Sequence, residues 1–373
     1  MCLEIPEVPG NQAIKDVLGA IKWVKENIGA FGGDGDNITI MGESAGGYIV
    51  DYLLRFSEPN LYDKAILISG TYSHGTSPIN TNYRYAIDIA QRLGFNTSDL
   101  LEAVHFLATV DPKNILSAYA ASNAYVGICI EKQFPSVPAL VTEHPENVAI
   151  PNVKTTSILI GYNNAELGVT MSPIFYFDYL FDVTAEALGF KNDAKEVATM
   201  LRQFYMGDTL KADMKAQDMK EFGRFNSDNI FKHPIERTIA KYVENEASNL
   251  YRYMFSYQGG RNWMQASWNN DVDGALHSDS LGYLFDLLFL AGKPITAEDQ
   301  LKIDEVTTLW TNFVKYGNPT PEPTELLPIN WLKITPTVSN YLEISSELVV
   351  GTRPHGDRMA FFDLMYMLAD EYK

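Results

Sequence analysis

The stretch NQAIKDVLGAIKWVKENIGA sets Ile14, Val17, Leu18, Ile21, Val24 and Ile28 three or four residues apart, with mostly polar side chains between them. That period gathers the apolar residues on one face and predicts an amphipathic helix, which Gly32 and Gly33 stop. NITIMG then carries Ile38, Ile40 and Met41 in an apolar run, bounded by Asp34, Gly35, Asp36 and Asn37 before it and glycine after it. This predicts a short buried strand, followed by a helix over 45–56. Further apolar runs at 65–68, 157–161 and 251–257 predict buried strands, and helical patterns recur over 84–93, 195–205 and 300–316. DRMAFFDLMYMLA, from Asp357, reads as a closing helix.

Strands alternating with helices imply an α/β fold whose largely parallel sheet is covered on both faces. The stretches 70–150 and 170–230 fit that rhythm poorly and are expected to be helical insertions that build a pocket above the sheet. No repeat, low-complexity tract or Gly/Ser linker interrupts the chain, so residues 1–373 are expected to form one continuous domain.

Composition narrows the partners. At 373 residues and 46% hydrophobic content the chain can bury a large core. Its 29 Lys and Arg stand against 47 Asp and Glu, and the net charge of -18 repels phosphate backbones and anionic membranes, which argues against nucleic acid. The 2 cysteines, Cys2 and Cys129, exclude a disulfide framework and a cysteine zinc site, and leave a single bridge as the one pairing open to the chain. Their scarcity leans towards the cytosol and leaves localisation undecided. No segment reaches the roughly 18 uninterrupted apolar residues of a membrane span, and MCLEIPEVPG lacks the basic and apolar regions of a signal peptide. Oligomeric state is not legible.

Candidate chemistry sits where the strand ending at Met41 meets the helix beginning near Ala45. There GESAG places Ser44 at a sharp strand-to-helix turn, with Gly42 and Gly46 expected to relieve its crowding. The helix N-terminus favours negative charge developing at that spot. Glu43 reads as a structural hydrogen-bonding residue beside the turn rather than as a base. A serine nucleophile needs a histidine base and an acid to orient it, and in this arrangement they follow in the order serine, acid, histidine. Glu166, in SILIGYNNAELG, and His277, in DVDGALHSDSLGYLF, each lie on a loop after a predicted strand. Asp279 is a weaker rival acid, placed to start a helix. His74, His105, His144, His233 and His355 are expected to be surface or packing residues, with His355 in an exposed turn.

These residues carry a resemblance over nearly the whole chain to the type B carboxylesterase and cholinesterase family of α/β-hydrolases, in particular the insect-like carboxylesterases. PGNQAIKDVLGAIKWVKENIGAFGGDGDNITIMGESAGG resembles the family's nucleophile region, LYDKAILISGT the strand after it, SILIGYNNAELG its acid loop and GALHSDSLGYLF its histidine loop. LWTNFVKYGNPTP and DRMAFFDLMY resemble its carboxy-terminal landmarks. Leu167 stands where glycine is commoner, and Ser280 replaces the usual acidic residue.

The resemblance implies a serine carboxylic ester hydrolase acting on small-molecule esters without metal or cofactor. Ser44 is then the nucleophile, His277 the base, Glu166 the orienting acid and Ala45 N–H one oxyanion donor. Tyr48, one turn past Ser44, is expected at the acyl pocket, where a small residue is commoner. Juvenile hormone esterases typically carry glutamine before the serine, so Glu43 disfavours that specialised activity. The HGGG-type loop that supplies the remaining oxyanion donors of this fold is found nowhere in the sequence. The chain therefore resembles a family member lacking its amino-terminal strands and that loop. The alternative function is a catalytically impaired or silent binding, neuroligin-like adhesion or sequestering member of the same fold.

Overall fold

The computed structural model describes residues 2–72, 84–122, 127–168, 173–190, 192–208, 215–268 and 272–371; His74 lies outside them. In chain order the elements are α1 (Gln12–Asn27), β1 (Thr39–Glu43), α2 (Ala45–Phe56), β2 (Lys64–Ile68), α3 (Tyr85–Arg92), α4 (Leu100–Leu107) and α5 (Pro112–Ala120). They continue with β3 (Ser157–Asn163), α6 (Pro173–Leu188), α7 (Ala194–Met206), α8 (Ala216–Ser227), α9 (His233–Glu244), β4 (Leu250–Phe255) and α10 (Trp263–Trp268). The last are α11 (Ala297–Tyr316), β5 (Asn340–Ile344), β6 (Leu348–Thr352) and α12 (Gly356–Glu371). Every strand and helix expected from periodicity is present, and the two irregular stretches hold α3 to α5 and α6 to α8.

The chain groups into two compact units: Met1–Val24 with Arg55–Glu58 and Ser77–Ala149, and Lys25–Leu54 with Pro59–Thr76 and Ile150–Lys373. In the first, α3, α4 and α5 enclose a core of Leu3, Ile89, Ala90, Ala103 and Leu107. Asp99 and Asp111 cap α4 and α5 by accepting the N–H groups of Glu102 and Lys113. Cys2 and Cys129 are disulfide-bonded across 127 residues of sequence, so neither is a free thiol. Asn11 pins that segment: its Nδ2 donates to Cys129 O at 2.9 Å and to Glu131 Oε1 at 2.8 Å.

The second unit holds a 6-stranded sheet in the order β1-β2-β3-β4-β5-β6. All pairings are parallel except β5 with β6. Alternation along β4 shows how the sheet is covered. Tyr251, Tyr253 and Phe255 join Leu309, Trp310 and Phe313 of α11 in one core. Arg252, between them, pairs with Glu236 of α9 on the opposite face, where the Tyr162 hydroxyl also donates to Glu236 Oε1 at 3.2 Å. Both faces therefore carry helices, and the parallel strands read as apolar runs because they are buried on both sides. Among the described residues no helix is long and apolar enough to cross a membrane.

Candidate active site

Ser44 sits between β1 and α2 with φ of 54°, the left-handed region that a non-glycine residue occupies only when its surroundings hold it there. Its N–H donates to Ile68 O at 2.9 Å, and its carbonyl accepts Tyr48 N–H at 3.1 Å. The turn is tight enough to exclude side chains nearby. A Cβ on Gly42 would lie 2.2 Å from the Gly46 backbone, one on Gly70 2.1 Å from Ser44 O, and one on Gly47 2.6 Å from Gly70 O. Gly46 itself faces open space, so it is the Gly42, Gly47 and Gly70 positions that relieve the crowding. The expectation that Gly46 does so is corrected: its backbone is the obstacle, and its own missing Cβ relieves nothing.

Past β3, the chain turns at Asn164 and Ala165 and brings Glu166 inward, fully buried. Glu166 Oε1 accepts Asn163 N–H at 2.7 Å and the Ser69 hydroxyl at 2.5 Å, while Oε2 lies 2.7 Å from His277 Nδ1. The two loops are laced by two backbone bonds and one to a side chain. His277 N donates to Glu166 O at 2.8 Å, Ala165 N to Ala275 O at 3.0 Å, and Ala275 N to Asn164 Oδ1 at 2.8 Å. The side chain of His277 retains 16% exposure, and the Phe231 ring lies 4.6 Å from it between centroids.

The second ring nitrogen faces a carboxylate. Glu43 Oε1 lies 3.3 Å from His277 Nε2 and also accepts the Ser278 hydroxyl. Among the described residues no hydrogen bond joins the Ser44 hydroxyl to His277. Burial favours the neutral imidazole, but the Glu166 hydrogen bond and charge, followed by the charges of Glu43 and Asp279, outweigh it and hold the His277 pKa above its ordinary value. Burial likewise pushes the Glu43 carboxyl up, against the lowering pull of His277 and Ser278.

Asp279 serves a different task from orienting the histidine. It accepts Leu276 N at 2.7 Å, Met264 N at 2.8 Å and Gln265 N at 3.3 Å, so it ties the first turn of α10 to the histidine loop. Burial pushes its carboxyl up to about 6 despite those donors. Ala45 is exposed at the first position of α2, and Tyr48 is half-buried one turn on. His233 is buried with Nε2 2.9 Å from Asp363 Oδ1. His355, expected in an exposed turn, is half-buried, with its ring stacked on that of Tyr162 of β3 at 6.4 Å between centroids. Sequence reasoning did not find Ser69, Asn163 or Ser278. The first two follow predicted strands closely, which was the available signal. Among the described residues no group of three or more His, Cys, Asp or Glu could hold a metal ion.

A mostly parallel sheet, a strained serine turn after one strand, and acid and histidine loops after two others define an α/β-hydrolase fold. The model described as the carboxylesterase family matches residues 1–362, and the chain belongs to that family. Juvenile hormone esterase of Heliothis virescens is 25% identical over 97% of this chain and 67% of its own length. Bile salt-activated lipase of Rattus norvegicus is 29% identical over 91% of this chain and 57% of its own. The crystal structure of juvenile hormone esterase from Manduca sexta, with OTFP covalently attached, superposes with a TM-score of 0.78 at 23% identity, covering 98% of this chain and 72% of that one. The chain thus spans between 57% and 67% of the length of these two curated relatives.

Proposed function

We propose that the chain is a serine hydrolase of carboxylic esters, with residues 1–373 read as one carboxylesterase-type domain. The 2.7 Å bond between His277 Nδ1 and fully buried Glu166, on loops that follow adjacent strands near the Ser44 turn, is the observation that carries this reading. Ser44 Oγ attacks the ester carbonyl carbon while His277 Nε2 takes its proton. Negative charge on the carbonyl oxygen faces Ala45 N–H at the start of α2. The alcohol leaves with the proton from His277, and water then releases the carboxylate from Ser44. Glu166 holds the tautomer that leaves Nε2 free to accept, and stabilises the imidazolium formed. The substrate scope is that of a broad carboxylesterase, with Tyr48 at the acyl side.

Glu43 gives the site two states. When His277 is protonated its Nε2–H points to Glu43, and the ring is a cation between two carboxylates. Loss of that proton frees Nε2 to serve Ser44. The contact also favours a second reading, a silent or sequestering member of the same fold in which Glu43 keeps the histidine from the serine. Incubation with a fluorophosphonate probe and a p-nitrophenyl ester separates the two, with Ser44→Ala as control. Labelling of Ser44 with steady turnover supports the hydrolase; labelling without turnover supports sequestering; no labelling of folded protein sinks the hydrolase.

A further inference from the structure

A cavity of about 390 Å3 opens behind the loop that carries Glu166, with Ala165 and Leu167 in its wall. Lys220, Arg224, Lys232 and Arg358 line it against two carboxylates, Asp273 and Asp357. The signs are not evenly distributed. Asp273 is 97% exposed and Asp357 is exposed, whereas the Lys232 and Arg358 side chains retain only 1% and 14% exposure. The acids stand in water at the rim together with Lys220, 4.0 Å from Asp273, and Arg224, 2.9 Å from Glu221, while Lys232 and Arg358 form the floor.

Those floor cations share one partner. Asp228 Oδ1 lies 3.1 Å from Lys232 Nζ and its Oδ2 lies 2.7 Å from Arg358, with the Tyr205 hydroxyl also donating to Oδ2 at 2.8 Å. Two cations against one buried carboxylate leave a positive excess, in a chain whose net charge is -18. Burial pushes the Lys232 pKa down and Asp228 pulls it back up, so an additional anion would favour the charged ammonium.

His355 completes the wall. Its Nε2 is buried and, among the described residues, has no hydrogen-bond partner. Burial first, then the charges of Lys232, Arg358 and Arg224, push its pKa down to about 2, so the ring is neutral and carries one N–H. A buried ring nitrogen with no partner, beside converging cations, costs stability unless something occupies it. We propose that this cavity binds a small oxyanion, a carboxylate or a phosphate, held by Lys232, Arg358 and Arg224 and by a hydrogen bond from the His355 imidazole. Ala165 and Leu167, the neighbours of Glu166, line the cavity, so the bound anion lies against the same loop that positions Glu166.

Isothermal titration of the whole chain with inorganic phosphate and, separately, with succinate, at constant ionic strength set by chloride, tests the site and distinguishes the two sources. Saturable binding of either anion is expected. Arg224→Gln and His355→Asn should each weaken it at least about tenfold, the loss of one charge-assisted or buried hydrogen bond. Asparagine tolerates the left-handed backbone at 355, where φ is 54°, and Arg224 is half-exposed, so both variants should melt as the wild type does without ligand. Neither removes a partner of Asp228. The proposal is overturned if neither anion gives saturable heat up to about 10 mM, a limit set by useful affinity, or if both variants bind as tightly as the wild type.

Discussion

Glu43 Oε1 lies 3.3 Å from His277 Nε2, on the opposite side of the ring from Glu166. The residue before the serine therefore faces the ring of the proposed base directly, and it also ties β1 to the histidine loop by accepting the Ser278 hydroxyl. Its charge favours imidazolium, and imidazolium cannot accept the serine proton. Activity should then rise with pH through a His277 pKa displaced above the ordinary imidazole value. Glu43→Gln removes one of the charges that raise it, so the acidic limb of kcat/KM should move to lower pH. An unmoved or upward-shifted limb would show that Glu43 does not control the base.

Glu166→Gln should lower kcat by about 10³–10⁴-fold while the fold persists, because the amide no longer stabilises the imidazolium and can hold the ring in the wrong tautomer. Steady-state kinetics with circular dichroism checks this. A loss below tenfold would remove Glu166 from the proposed acid role.

Gly70→Ala and Gly46→Ala should part in sign. At Gly70 the new methyl would lie 2.1 Å from Ser44 O, a backbone atom that cannot move without distorting the turn. A loss of about 2–3 kcal/mol is expected. At Gly46, inside α2, nothing lies within 4 Å, and alanine should stabilise by about 0.5–1 kcal/mol. Urea midpoints at equal slope decide both. Equal effects would mean that the turn relaxes freely.

Cys2 and Cys129 should give no free thiol when the denatured chain is assayed under non-reducing conditions. Bridging 127 residues of separation restricts the unfolded chain, so reduction should cost about 2–4 kcal/mol of stability. The measurement is thiol titration followed by thermal melting with and without reductant; two titratable thiols in the untreated protein would refute the bridge.

Tyr48→Ala should broaden acyl-length preference if the ring borders the acyl pocket. Comparing p-nitrophenyl acetate, butyrate and octanoate tests this, and an unchanged ratio of kcat/KM values would place Tyr48 away from the acyl chain.

The hydrophobic pattern by itself determined much of this protein. Parallel strands buried on both faces, such as β2 and β3, are continuous apolar runs, and amphipathic helices such as α1 and α11 carry a 3.6-residue period. Both are local signals. So is the serine turn, and so is Glu166, three residues past β3, whereas α10 stands between β4 and His277. β5 and β6 carry no such apolar run, because NYLEI alternates buried with half-buried positions and LVVGT is largely exposed at the sheet edge. Only the tertiary structure decided which partner each polar group received. It gave Asp279 to the first turn of α10, set Glu43 against the second nitrogen of His277, and brought Lys232 to one cavity with the distant segment that carries His355 and Arg358. It also made Gly47 and Gly70, rather than Gly46, the glycines the turn requires, because the crowding atoms belong to a neighbouring strand's loop. Close contacts between residues far apart in sequence leave no periodic trace along the chain, which is why the elements were legible and these pairings were not.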